Sequence, residues 1–177
     1  MVSTTDGSPP TRAEFHAAIS ARADRWFAAC LSITRNRDLA EDALQDALLS
    51  AWDKRDQFQH GARLDTWIHR IAVNSALQLI RKQRPGRFTE LDFEVSDDSA
   101  DPEAARYADE LDTGLDAALG ELSEVERVCF VLKHLEQWRL REIADELGSN
   151  VGNVKQAVFR AVHKLRGALP ALARAGS

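Results

Sequence analysis

The sequence predicts an all-α protein of two small helical domains joined by an acidic flexible linker. Three observations carry this expectation. Apolar residues recur at helical spacing in several separate stretches. Only 9 Gly and 5 Pro occur in 177 residues, too few for a turn-rich β fold. Charge divides the chain into three parts: residues 1–84 carry a net +2, residues 85–112 a net −8 and residues 113–177 a net +1. Hydrophobic residues make up 44%, enough for packed cores and too many for a disordered chain. The overall charge of −5 therefore belongs to the middle, and residues 151–177 hold five basic residues and no acidic one. Such a basic cluster suits a nucleic-acid partner.

The first eleven residues lack a basic segment followed by an apolar core, so they read as a disordered tail rather than a secretion signal. The first domain, 12–84, reads as three helices. One spans roughly 12–34, with Phe15, Ile19, Trp26, Phe27, Cys30 and Ile33 as its apolar residues. The second spans roughly 38–55, with Leu44, Leu48, Ala51 and Trp52 as its stripe. The third spans roughly 64–83 and ends before Pro85-Gly86. Gly61 breaks the loop between the last two. Cys30 and Cys129 sit among apolar residues and read as small buried hydrophobes.

The linker, 85–112, has little apolar periodicity. Leu91, Phe93 and Val95 alternate with acids, but no partner strand is evident, so an extended segment is expected. The second domain covers 113–171, with a tail at 172–177. Ser123 and Glu126 have the spacing of a capping box that opens a helix. The helix LREIADEL ends at Gly148, and Asn150 caps a last helix whose Val151, Val154, Val158, Ala161 and Leu165 form a buried stripe. Helix, short Gly turn, helix is the pattern of a helix-turn-helix.

Two stretches carry a resemblance. Residues 39–84 hold Glu41-Asp42, Ala51-Trp52, Phe58 before Gly61, Thr66-Trp67 and Arg70-Ile71-Ala72-x-Asn74 in order. Residues 119–166 hold Glu142-Ile143-Ala144, Leu147-Gly148 and Val151-Gly152-x-Val154-Lys155. Together they cover about half the chain and resemble the extracytoplasmic-function group of the sigma-70 family of transcription initiation factors. The resemblance implies a cytoplasmic protein that binds core RNA polymerase, at its β′ coiled coil and β flap, and directs it to promoter DNA. An anti-sigma factor is a common further partner in that family. Departures occur at Arg139, at Gln156-Ala157 and in Ala62–Asp65; they bear on promoter preference, not on the class.

The resemblance also assigns faces. Asp38, Glu41, Asp42, Gln45 and Asp46 share one side of the second helix, where the family docks on polymerase. Carboxylates there can accept paired hydrogen bonds from Arg. Phe58, Gln59, His60, Gly61, Ala62 and Arg63, with Asn74, Gln78, Arg81, Lys82 and Arg84, match the region that reads and melts the −10 element. The basic members would hold phosphates without reading sequence. Asn153, Lys155, Gln156, Arg160, His163 and Lys164 lie off the apolar stripe of the last helix and would face the −35 element. Trp26, Trp52 and Trp67 read as core. No phosphate loop, metal motif or nucleophile-base constellation occurs, so no cofactor, small-molecule substrate or enzymatic activity is expected. The residues alone leave open a helix-turn-helix regulator that binds duplex DNA unaided.

Overall fold

The structure, a computed structural model, describes residues 7–83, 86, 88, 89, 93 and 113–175. It divides into two compact units, Met1–Gln83 and Arg84–Ser177. Among the described residues every regular element is helical, and no helix is long and apolar enough to cross a membrane.

The first unit packs α1 (Arg12–Thr34), α2 (Arg37–Asp53) and α3 (Leu64–Gln83) pairwise against one another. Local chemistry sets each boundary. Thr11 opens α1 with a capping box: its hydroxyl accepts from the Glu14 amide (3.2 Å), and Glu14 accepts from the Thr11 amide (2.7 Å). Between α1 and α2 only Arg35 and Asn36 intervene. Arg35 takes a left-handed conformation (φ 53°), and Asn36 accepts from the Leu39 amide to cap α2. A single 3-10 turn, Arg55–Gln57, follows α2. The stretch expected to be a tail touches this unit, since Pro10 is buried and the Ser8 carbonyl lies 2.9 Å from His60 Nε2.

The core holds Trp26, Ile33, Ile68, Val73, Leu77 and Ile80. The stripe of α2 differs from expectation. Its fully buried residues are Ala40, Ala43, Ala47 and Ala51, while Leu44, Leu48 and Trp52 flank them half-buried. Alanine wins the centre because α2 touches both other helices, and only a methyl fits between closely packed backbones. Trp52 closes the edge of the unit, edge-on to Phe15 at 5.2 Å and under the Arg55 guanidinium at 4.1 Å. Cys30 is buried and unoxidised, with its thiol 3.5 Å from the Ala72 carbonyl.

The second unit gathers α4 (Thr113–Gly120), α5 (Glu124–Phe130) and α6 (Leu140–Leu147) around the long α7 (Val151–Ala175). The Ser123–Glu126 capping box forms as its spacing predicts. After Phe130 the helix widens, and the Glu136 amide bonds five residues back to Val131 (2.9 Å). α6 ends at Gly148 in the left-handed region (φ 65°), where glycine carries no side-chain penalty. Asn150 then accepts from the Asn153 amide to start α7. A side chain at Gly152 would come within 3.2 Å of that capping oxygen.

The buried stripe of α7 is Val154, Ala157, Ala161 and Leu165. Val158 is half-buried, and Val151, expected inside, is 41% exposed because the helix begins there, beyond its packed partners. Cys129 is buried and unoxidised, and burial pushes its thiol pKa up to about 12. Of the linker, Phe93 is buried and its amide lies 3.3 Å from the Thr89 carbonyl, four residues back. At that residue the expected extended segment gives way to a helical turn. Leu91, Val95 and the acids Asp92, Glu94, Asp97, Asp98 and Asp101 lie outside the described residues.

The alanine stripe makes a stability prediction. Ala47→Leu should overpack the contact of α2 with its neighbours and cost about 1–3 kcal/mol. Chemical denaturation reads this directly, and an unchanged midpoint would show that the contact has slack.

Candidate functional site

Three surfaces emerge once burial is accounted for. The first is the outer face of α2. The buried alanines fix the rotation of this helix, so Asp38, Glu41, Asp42, Gln45 and Asp46 are all exposed on the opposite side. Glu41 pairs with Arg37 at 3.3 Å, one helical turn earlier. The remaining carboxylates point to solvent, where a partner's cations can reach them.

The second surface combines the loop after α2 with one face of α3. Trp67, Arg70, Asn74, Gln78 and Arg81 follow at spacings of three and four, so they share that face. Phe58 is buried rather than presented, and its ring packs on Trp67 at 5.3 Å and on His60 at 5.0 Å. It therefore positions the loop against α3, and the groups left to a ligand are Gln59, His60, Ala62 and Arg63, all exposed. A side chain at Gly61 would meet nothing, so this glycine is not demanded by space. Arg63 lies 3.2 Å from Asp65, which also receives Arg22 at 3.3 Å, so one carboxylate orients two guanidiniums beside the loop. Asn74 is half-buried with its carbonyl oxygen out of water and without a hydrogen-bond partner. Gln78 and Lys82 are exposed and Arg81 is half-buried. Arg84 lies outside the described residues.

The third surface is the outer face of α7. Lys155, Gln156 and His163 lie on it, exposed as expected. Three other expected members do not. Asn153 is half-buried, its amide group donating to the Ser149 hydroxyl at 3.3 Å. Arg160 and Lys164 turn toward Glu126, a residue with no exposed surface. Lys164 Nζ lies 2.8 Å from one carboxylate oxygen, Arg160 Nε lies 3.3 Å from the other, and a second Arg160 nitrogen donates to the Phe93 carbonyl at 2.6 Å. A buried carboxylate without counterions costs several kcal/mol, and these two cations offset that cost. Both side chains are half-buried, with their charged ends committed to Glu126. Sequence reasoning also passed over Phe159, which is 74% exposed between Lys155 and His163 on the outer face. It lies off the buried stripe of α7, and that phase is the signal that marks it as outward.

Comparison with known proteins decides what these surfaces belong to. The family description "Sigma-70 region 2" matches residues 19–85, and "Sigma-70, region 4" matches residues 113–165. The ECF RNA polymerase sigma factor SigW of Bacillus subtilis is 30% identical, over 81% of this chain and 82% of its own. The chain belongs to the sigma-70 family. It is a sigma factor of the extracytoplasmic-function type, a class that directs RNA polymerase to promoters. SigG of Mycobacterium tuberculosis is also 30% identical, over 92% of this sigma factor but only half of SigG. Among solved structures, the sigma factor RpoE of Bartonella quintana, in complex with the anti-sigma factor NepR, superposes with a TM-score of 0.56 at 28% identity, covering 88% of this chain and 96% of RpoE. CnrH, in complex with the cytosolic domain of CnrY, shares the fold with a TM-score of 0.53.

The Glu126 cluster makes a pH prediction. Burial raises the Glu126 pKa, but hydrogen bonds from Lys164 and Ser123 outweigh it and hold the group below the ordinary glutamate value. A lowered folded pKa stabilises the fold above the unfolded value, and this contribution is lost as pH falls through the folded one. Glu126→Gln should therefore flatten the acid limb of the stability curve. Lys164→Met, which keeps the stem and removes the charge, should destabilise the second unit by about 3 kcal/mol. A Gln variant with the wild-type acid limb would contradict the assignment.

Proposed function

We propose that the three surfaces divide the work of promoter recognition. The outer face of α2 docks on core RNA polymerase through Asp38, Glu41, Asp42, Gln45 and Asp46. The loop Gln59–Arg63 and the α3 face with Asn74, Gln78, Arg81 and Lys82 take the −10 element as single-stranded DNA. Extruding a base from the stack costs a few kcal/mol, which contacts to that base must offset. An amide such as Asn74 has both donor and acceptor and suits a base edge. Arg81 and Lys82 hold phosphates whatever the sequence. The outer face of α7 enters the major groove of the −35 element with Lys155, Gln156 and His163, and Gln156 has the paired donor and acceptor that match adenine.

The observation that carries this reading is the strict segregation of charge by face. Beyond Arg37 in its first turn, α2 buries alanines and exposes carboxylates but no cation, while α7 exposes Lys155, Gln156 and His163 and carries no acid. A face of acceptors repels a phosphate backbone and attracts a basic protein surface, and the α7 face does the reverse. The sigma factor then acts by binding in the cytoplasm, and the polymerase does the chemistry. RpoE of Bartonella quintana, which resembles this chain along nearly its whole length, is bound to an anti-sigma factor, which supports inhibition by a protein of that kind.

Reversing Asp42 and Asp46 together to Lys tests the docking assignment. Both are exposed, so helical content should stay unchanged. Affinity for core polymerase, measured by fluorescence anisotropy, should fall by roughly a hundredfold or more, since like charges then meet across the interface. Wild-type affinity would remove α2 from the interface.

A further inference from the structure

The acidic face of α2 has an apolar centre. Leu49 is 67% exposed, and among the described residues Phe159 alone is a more exposed large hydrophobic. It follows Asp42, Gln45 and Asp46 by seven, four and three residues and precedes Asp53 by four, so all five lie on one side of the helix. Asp42, Gln45, Asp46 and Asp53 are themselves exposed. The leucine cannot turn inward, because the opposite side of α2 is locked into the core by four alanines without exposed surface.

Single exposed leucines are common on protein surfaces and by themselves mean nothing. This one differs in its setting, an apolar side chain ringed by hydrogen-bond acceptors. That is the anatomy of an interface, with a dry centre inside a polar rim. Energetically dominant contacts gather at such centres, and the rim excludes water around them. The charge of the rim states what the partner must be: a surface rich in Arg or Lys with an apolar socket between the cations.

We infer that Leu49 is the apolar anchor by which this face seats on a basic surface of core RNA polymerase. The inference rests on the docking role proposed for α2. The acids bring the surfaces together and set the orientation, and leucine burial holds them there. The two contributions respond differently to salt. Attraction between exposed charges is screened as ionic strength rises, whereas burial of an apolar side chain is not.

The test measures affinity for core polymerase at low and high salt for Leu49→Ala, Leu49→Asn, Leu49→Met and Asp46→Asn in the full chain. Leu49→Ala and Leu49→Asn should each weaken binding by about tenfold or more at both salt concentrations. Leu49→Met should stay near wild type, because it restores apolar volume. Asp46→Asn should lose most at low salt and little at high salt. Thermal stability should not change in any variant, as both positions face solvent. Wild-type affinity for Leu49→Ala would overturn the inference while leaving the acid-face reading intact, as would a loss confined to Leu49→Asn. If the double reversal of Asp42 and Asp46 also left affinity unchanged, the docking role itself would fall, and the inference with it.

Discussion

Glu126 carries a charge with no exposed surface, and the second unit is arranged around that fact. Every oxygen it buries must find a donor. The Ser123 amide, Lys164 and Arg160 supply them. Two of these donors come from α7, 34 and 38 residues further along the chain. The capping box at the start of α5 is thereby tied to the middle of the last helix. Lys164 and Arg160 lie four apart, so their engagement also fixes the rotation of α7. Once that rotation is set, the outward residues follow without choice: Lys155, Gln156, Phe159 and His163. Arg160 extends the same constraint to the linker by holding the Phe93 carbonyl. Local capping, interior electrostatics and the exposed face of α7 are links of one chain of cause.

The first unit reaches the same end by packing rather than charge. Alanine at positions 40, 43, 47 and 51 lets α2 lie close to both neighbours, and that contact sets which way its acids point. Removing a buried counterion is expensive in one unit, and enlarging a buried methyl is expensive in the other. In each unit the most constrained residues thus orient a helix whose far side faces solvent.

Much of this was legible in the sequence, for local reasons. α1 covers the stretch its apolar spacing marks, and α3 runs to Gln83, just ahead of Pro85-Gly86. The Ser123–Glu126 box, the Gly148 terminus and the Asn150 cap are likewise short-range chemistry, and each forms as its spacing dictates. What escaped was non-local. Arg160 and Lys164 look like surface because they are charged, and nothing near them announces a buried acid in a different helix. Leu44 and Leu48 outrank alanine on any hydrophobicity scale, yet closeness of approach favours the smaller residue. Phe58 sits in a polar loop but is buried under Trp67, while Phe159 sits on a helix with an apolar stripe but faces out. Of the expected site residues, those on α2 are exposed on the face that helical spacing gives them, and Gln59–Arg63 are exposed in the loop. On α7 two of the six, Arg160 and Lys164, were drawn to Glu126, a partner that periodicity does not register, and Asn153 turned to Ser149.

The account turns on a claim about dependence: this chain reads DNA as a subunit of a polymerase, its α2 face held by one partner while α3 and α7 face another. A helix-turn-helix regulator would share α6 and α7 but would need no polymerase to find its sites. The most direct measurement is transcription in vitro from fragmented genomic DNA, with core polymerase alone and with the purified chain added, and every RNA 5′ end mapped. The account predicts new, discrete start sites that appear only with the chain. Each should lie at a constant distance downstream of the same two separated sequence blocks. Unchanged start sites, from a preparation that still binds duplex DNA through α7, would contradict it.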